Sequence, residues 1–443
     1  MRKLRVTAAA LVVTALTAVS LPAAVAQAAD AKPTSTDVGV TSSEIHVAVP
    51  ADVDNPFQPG LFQGVVDGAT GAAKYLNSKA GGGGIGGRKV VADFIDTKLN
   101  PNQSRNAVIT ACGQDFAIVS SAMLFLSSVE DEVNCPDSTG AAVGIPDMGA
   151  IVTGVAQWCS PVSYPVTPSP LDCATKDQTP QTFFGNAGPS KYLVKQSKDK
   201  LHGAFLIPSD SKDAQRGSTV LVDAAIAGGV KADQEKLMSG RDPQSAYTPI
   251  ITQMKADGSN YAQSTLSANS SILLRSEAQL QGLDSGVVFT CGASCYTKDV
   301  SSNPVMDGTH VYIGALPFEE ASTNAMLRSF LQYVPSDKRN NFAVSGWSAM
   351  IAFAQGARAV VEKDGVNGLT RKALLDTGIP TLTKFNTEGM TGTINIAKRI
   401  GTPCFIMMQV KGSKFVREHP TKKGTFDCTP SNRVKIQQDL LGI

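Results

Sequence analysis

Short runs of β-branched residues alternate with longer amphipathic segments along this chain, and the alternation runs through twice. EIHVAVPA (44–51) reads as a buried strand bounded by proline. In GLFQGVVDGATGAAKYLNSKA (60–80), apolar residues at 61, 62, 65, 66, 69, 72, 73, 75 and 76 recur at helical spacing. RKVVADFID (88–96) is the next strand, NPNQSRNAVITACGQ (100–114) the next helix and DFAIVSSAML (115–124) the third strand. Beyond a Pro- and Cys-rich stretch (155–182), the strand LHGAFLIPS (201–209) is followed by the helix KDAQRGSTVLVDAAIAGG (212–229). NYAQSTLSA (260–268), SGVVFTCG (285–292) and HVYIGALPF (310–318) are further strands, with the helix SILLRSEAQLQGL (271–283) between two of them. TNAMLRSFLQYV (323–334) and SAMIAFAQGARAVVEK (348–363) predict strong helices. TGTINIA (391–397), CFIMMQVKG (404–412) and KFVRE (414–418) read as closing strands in a meander or hairpin. Such alternation implies an α/β chain with two parallel-sheet lobes, each layered with helices.

KAGGGGIGGRKV (79–90) places Gly81, Gly83 and Gly86 in the order G-x-G-x-x-G. A dinucleotide loop must follow a strand and open a helix, because the phosphate sits on the helix N-terminus. Here the glycines follow a helix and precede a strand, and no Lys-Ser/Thr follows Gly87. They therefore serve the helix stop and the turn rather than a phosphate.

Arg2, Lys3 and Arg5 precede an apolar run (6–21) and the cleavage pattern Ala26-Gln27-Ala28, so residues 1–28 are expected to be a signal peptide. Residues 29–43 are expected to be a disordered polar leader. The first cysteine, Cys112, is far from the cleavage site, so no lipobox is present and a soluble protein, extracellular or periplasmic, is expected. Without the three basic residues of the signal, 37 Lys and Arg face 38 Asp and Glu, and nothing favours nucleic acid or an anionic membrane. The remaining chain, about 415 residues, exceeds one ordinary core and suits two lobes.

All eight cysteines lie beyond the signal, and an even count outside the cytoplasm points to disulfides. Their order along the chain suggests near pairs: Cys112–Cys135, Cys159–Cys173, Cys291–Cys295 and Cys404–Cys428. CGASC offers two thiols to a metal, but no second Cys/His pair lies near it and the four histidines stand far apart. No metal and no cofactor are expected. No G-x-S-x-G surrounds any serine (SGWSAM departs at its last position) and no H-E-x-x-H occurs, so no catalysis is expected.

GVTSSEIHVAV, AAKYLNSKAGGGGIGGRKV with the FIDTKLNPNQSRNAV that follows, VSGWSAMIAFAQGARAV and GMTGTINIAKRIGTPCFIMMQVKGSKFVRE together resemble, in the right order, one known family. It is the type I periplasmic solute-binding proteins of the branched-chain amino acid (leucine/isoleucine/valine) uptake class. The resemblance implies two doubly wound lobes joined by three crossovers that close on a solute. Lobe one is expected to hold 44–185 and 319–388, and lobe two 186–318 and 389–443, with crossings near Gly185, Phe318 and Glu388. It also implies a small-molecule solute, permease subunits of an ABC importer as partners, and a monomer. The alternative is an extracellular sensory or partner-binding protein that keeps the fold without a transport ligand.

In open parallel sheets the site lies at the carboxyl ends of the strands. In lobe one those ends offer Asp52, Asp54, Asn55 and Phe57, then Ser120, Ser121 and Ala122. In lobe two they offer Ser209, Asp210 and Ser211, then Asn269 and Ser270, then Cys291 and Gly292, with Phe318 at the crossing. In amino-acid-binding members, hydroxyls and backbone N–H groups of the third-strand loop grip the ligand carboxylate, and Ser120 and Ser121 are the best match. Each serine would serve equally as a helix cap. The chain departs from the family where MLFL follows those serines and where SDSKDAQRG lacks an aromatic residue. Met123 and Phe125 are candidates for a pocket wall or for core.

Overall fold

The computed structural model describes residues 32–55 and 58–442; the expected signal peptide and Phe57 lie outside the described residues. The first sheet contains β1 (Glu44–Ala51), β2 (Lys89–Asp96), β3 (Ala117–Val119) and β4 (Asp147–Met148). They run parallel in the order β2-β1-β3-β4. The chain steps to one side of β1 and then to the other, so the winding reverses between β1 and β3. Helix α1 (Gln63–Asn77) joins β1 to β2, and α2 (Pro101–Gln114) joins β2 to β3. Asn100 caps α2 by accepting from the N–H groups of Asn102 and Gln103. Short helices α3 (Glu130–Val133) and α4 (Val155–Trp158) flank β4.

After β5 (Gln181–Asn186) and α5 (Gly188–Gln196) the second sheet begins. It contains β6 (His202–Pro208), β7 (Lys231–Met238), β8 (Tyr261–Ser264), β9 (Val288–Cys291), β10 (His310–Ile313), β11 (Ile406–Lys411) and β12 (Lys414–His419). The order is β12-β11-β10-β9-β8-β6-β7, parallel from β6 through β10, with β11 and β12 antiparallel at one edge. Here the winding reverses between β6 and β8. Helices α6 (Lys212–Ala227), α7 (Thr248–Asp257), α8 (Ala268–Leu280) and the short α9 (Lys298–Ser302) make the connections. The last strand, β13 (Arg433–Gln438), pairs antiparallel with β5.

Between β10 and β11 the chain returns to the first sheet as α10 (Ala325–Tyr333), α11 (Asn341–Asp364) and the short α12 (Arg371–Ala373). The α1–α11 contact explains two glycines. A Cβ on Gly68 would lie 2.0 Å from the Ala343 carbonyl oxygen, and one on Gly346 would lie 2.1 Å from that of Val65. Only bare backbone allows the two helices to approach this closely. Trp347, Met350 and Phe353 of α11 share one apolar cluster with Val47 and Val49 of the first sheet and Ile313 and Ile406 of the second.

The α/β class with two parallel-sheet lobes is observed. All four expected disulfides are formed: Cys112–Cys135, Cys159–Cys173, Cys291–Cys295 and Cys404–Cys428. The glycine run stands between α1 and β2, and Gly82, Gly83, Gly84, Gly86 and Gly87 all have positive φ, as a helix stop and turn require. TGTINIA differs from expectation. It makes isolated bridges (Ala315 with Thr391, Phe385 with Ile394, Asn395 with Ile400) instead of a strand.

Residues 32–43, expected to lack order, are fastened to the body. Arg88 and Arg371 are fully buried and must find oxygen acceptors. Arg88 donates to the Thr34, Thr41 and Val366 carbonyls. The backbone N–H of Arg371 donates to Asp37, while its guanidinium reaches the Cys112, Phe116 and Pro136 carbonyls. Val40, 1% exposed, then adds to the core.

Candidate functional site

The carboxyl ends of the strands at each reversal point are where an α/β lobe presents helix N-termini and loops to a ligand. In the first lobe, Asp52 follows β1 and is fully buried. Its carboxylate accepts from the Thr97 hydroxyl (2.6 Å), the Leu99 N–H (2.8 Å) and the Leu124 N–H (2.8 Å). One side chain thus ties together the loops after β1, β2 and β3. Asp54 is exposed, and its N–H donates to Asp96. Asn55 is buried in an Asx turn, its side chain bonded to both backbone groups of Gln58.

Ser120 and Ser121 do not stand open to a solute in this structure. Ser120 takes φ 63°, which ends β3, and its hydroxyl donates to the Gly346 carbonyl at 2.8 Å. The Ser121 hydroxyl donates to Asp147 at 2.8 Å. Both serines are buried. The N–H groups of Ser120 and Ala122 are taken by the carbonyls of Met148 and Pro50. Ala122 bridges to Ala51 and Ile151 on either side. Asp147 gathers Ser121, Gln157 and Ser163. Burial pushes its carboxyl up to about 6, against the lowering effect of those three donors. Met123 is core, and Phe125 is half-buried.

In the second lobe, Ser209 and Asp210 follow β6 and are exposed. Asp210 accepts from the Ser239 hydroxyl and the Gly240 N–H, both at 2.6 Å, so the loops after β6 and β7 are joined there. Ser211 caps α6. At the start of α8, Ser267 is the cap, Asn269 is exposed and Ser270 is buried against Ser267. Cys291 is in its disulfide, and Gly292 is half-buried. Phe318 is half-buried and joins an aromatic seam at the crossing. Its ring lies 5.0 Å from Tyr296 and 5.6 Å from Phe330. The Tyr296 hydroxyl donates to Glu319 (2.6 Å) and accepts from the Phe318 N–H (2.9 Å). Burial holds that phenol well above its ordinary range, with Glu319 adding to the effect.

The structure therefore divides the expected residues. Asp54, Ser209, Asp210 and Asn269 are exposed at the strand ends. Asn55, Ser120, Ser121, Ala122 and Ser270 are buried. Several groups were not read from the sequence: Asp147, Tyr296, and the buried ion pair of Glu320 with Arg417, bidentate at 2.5 and 2.7 Å. No periodicity marks an isolated Asp or Glu in a loop, and only the long-range partners distinguish them. Among the described residues no group of three or more His, Cys, Asp or Glu could hold a metal ion, and no helix is long and apolar enough to cross a membrane.

A family model described as periplasmic binding protein matches residues 44–414. Among solved structures, the chain is similar to a fatty acid ABC transporter substrate-binding protein from Thermomonospora curvata, with TM-score 0.64 and 14% identity over 88% of this chain and 97% of that one. A solute-binding protein of an ABC transporter from R. palustris in complex with 4-hydroxybenzoate gives TM-score 0.60 and 15% identity, over 85% and 96%. A leucine-binding protein from Thermotoga maritima gives TM-score 0.60 and 15% identity, over 84% and 97%. No curated protein sequence matches the chain.

Proposed function

The chain belongs to the periplasmic binding protein family, a non-enzymatic family of ABC-transporter substrate-binding proteins, and from that premise we propose that it is exported, captures a small organic acid between its lobes and hands it to the permease subunits of an importer. The observation that carries this reading is the match along nearly the whole chain to a family of two-lobed binders. Four disulfides agree with export after removal of residues 1–28, and we take the protein to act as a monomer.

The lobes we propose are 44–185 with 319–388, and 186–318 with 389–443. Asp54, Ser209, Asp210 and Asn269 would meet the solute, Phe318 would lie at the crossing, and the buried residues would shape the wall. Three relatives are named for leucine, 4-hydroxybenzoate and fatty acid. Each of these joins a carboxylate to an apolar body. The N-terminus of α8 beside Asn269, with no acidic residue in its first turn, favours an anion. An amino acid is our first choice within that class.

The test is thermal unfolding of the mature protein against amino acids, benzoates, fatty acids and short peptides. A ligand of the folded state raises the midpoint with its concentration. We expect one saturable shift, weakened by Asn269→Ala and Ser209→Ala. No shift across the panel would favour the second reading, a sensory or partner-binding protein without a transport ligand. One observation speaks for that reading: the Ser120 and Ser121 hydroxyls are already committed to Gly346 and Asp147.

A further inference from the structure

The Pro- and Cys-rich stretch between β4 and β5 is bonded on both of its sides. Toward the first sheet, Asp147 of β4 accepts from the Gln157 side-chain amide (3.1 Å) and the Ser163 hydroxyl (3.0 Å). The Tyr164 N–H donates to the Asp147 carbonyl at 2.7 Å, so Ser163 lies beside Asp147 as a parallel neighbour. The Cys159–Cys173 disulfide closes the loop that follows α4.

The other side of the stretch meets α6, β13 and the segment before β11, all in the second of the proposed lobes. Trp158, 1% exposed, shares an apolar cluster with Val220 and Ala224 of α6, with Ile436 of β13 and with Leu440. The Gln181 side-chain oxygen accepts from the Leu440 N–H at 3.2 Å. Arg399 holds the middle. Its guanidinium donates to the Ser160 and Ser163 carbonyls and lies over the Tyr164 ring, 4.2 Å from the centroid. Arg399 also takes φ 54°, a conformation that side chains other than glycine rarely adopt. Such a backbone persists only where its surroundings over-determine it. Two carbonyls and a ring do so here.

Lobes joined by crossings alone move freely unless a large apolar contact also joins them. Trp158 supplies such a contact, since a buried tryptophan removes a large apolar area from water. The disulfide takes slack out of the loop that carries it. The stretch therefore cannot follow a wide opening by extending. Either Trp158 leaves α6 or the lobes stop.

We propose that residues 152–183 are a stapled strap that limits how far the two lobes part, with Arg399 as its pin. Such a strap presupposes the two-lobed capture read above. It keeps the free protein near its closed form, so less of a solute's binding energy goes into closing the lobes.

The probe is a pair of spin labels carried on p-acetylphenylalanine, which leaves the cysteines untouched. They replace the exposed Lys98, after β2, and the exposed Lys236, in β7, of the mature protein. Double electron–electron resonance then reads the lobe separation without any solute. The strapped protein should give one narrow distance distribution. Arg399→Ala should broaden it and lengthen its mean, and so should Cys159→Ala combined with Cys173→Ala. If near-ultraviolet circular dichroism shows that Arg399→Ala does not fold, the cysteine pair decides. The same distribution with and without these substitutions would overturn the proposal. Capture is read separately, by thermal unfolding against the solute panel: no shift there, together with widened distances in the variants, would retain the strap and remove only the capture.

Discussion

Asp52 is the most consequential single side chain at the edge of the first lobe, and Asp52→Ala tests how that edge is held. The carboxylate is fully buried and accepts three hydrogen bonds, two from the loop after β2 and one from the loop after β3. Bonds to a charged acceptor contribute roughly 1.5–3 kcal/mol each, and a donor orphaned in the interior costs about 1–3 kcal/mol. Thr97 can rotate its hydroxyl, whereas the Leu99 and Leu124 N–H groups are fixed by the backbone. We therefore expect Asp52→Ala to cost about 4 kcal/mol. Asp52→Asn keeps one acceptor oxygen but turns an NH2 toward a donor, and should cost about half as much. Both tryptophans, Trp158 and Trp347, are buried, and Trp347 packs in α11 against the first sheet, so urea unfolding followed by their fluorescence reports this lobe. With a slope of roughly 2.5 kcal/mol per molar for a lobe of this size, the midpoint should fall by about 1.5 M for Asp52→Ala. A fall below roughly 0.3 M, or equal effects of Ala and Asn, would mean that the loops find other acceptors and that Asp52 does not organise the edge.

Four further outcomes are expected. The Asp147 carboxyl is raised by burial to about 6, so the unfolded chain loses this proton first and stability should fall as pH rises from about 4 to about 6, by roughly 3 kcal/mol in all. Burial raises Asp115 and Asp223 as well, so the measurement is the difference in pH slope between wild type and Asp147→Asn, which should be flatter. Gly83→Ala should cost only about 1 kcal/mol, because its Cβ would meet nothing within 4 Å and only the positive φ opposes it. Gly81→Ala should cost clearly more in the same urea assay, since its Cβ would lie 2.0 Å from the Tyr75 carbonyl oxygen. Glu320→Ala leaves the Arg417 guanidinium buried without its carboxylate and should cost roughly 3–5 kcal/mol, while replacing both residues by Met should restore most of the loss. Removing the Cys404–Cys428 bridge, which spans 24 residues, should lower stability by about 3 kcal/mol under non-reducing conditions and change nothing when wild type is already reduced.

The parts legible in the sequence were those written in local pattern. β1, α1, β6 and α11 carry their own periodicity, and the helix-before-glycine order ruled out a phosphate loop without any coordinates. The near-pair order of the cysteines was enough for all four bridges because each loop is short. Edge elements were harder. β7, KADQEKLM, buries only Gln234 and Met238, so no apolar alternation announces it, and β13 pairs with β5 across about 250 residues of chain. TGTINIA has strand-like composition, yet tertiary contacts spread it into separate bridges.

The site was legible to the level of strand ends and no further, and Ser120 shows the reason. From sequence, a hydroxyl after a parallel strand is a ligand contact or a structural donor with equal ease. What separates the two is whether an acceptor from elsewhere comes within reach, and here the acceptor is Gly346, 226 residues away. Gly346 itself must be glycine because α1 passes so close to it. The same packing that brings α11 against the first sheet therefore also occupies the serine. Whether a polar group at the end or face of a strand serves the fold or a solute is decided by what the rest of the chain has already given it to bond.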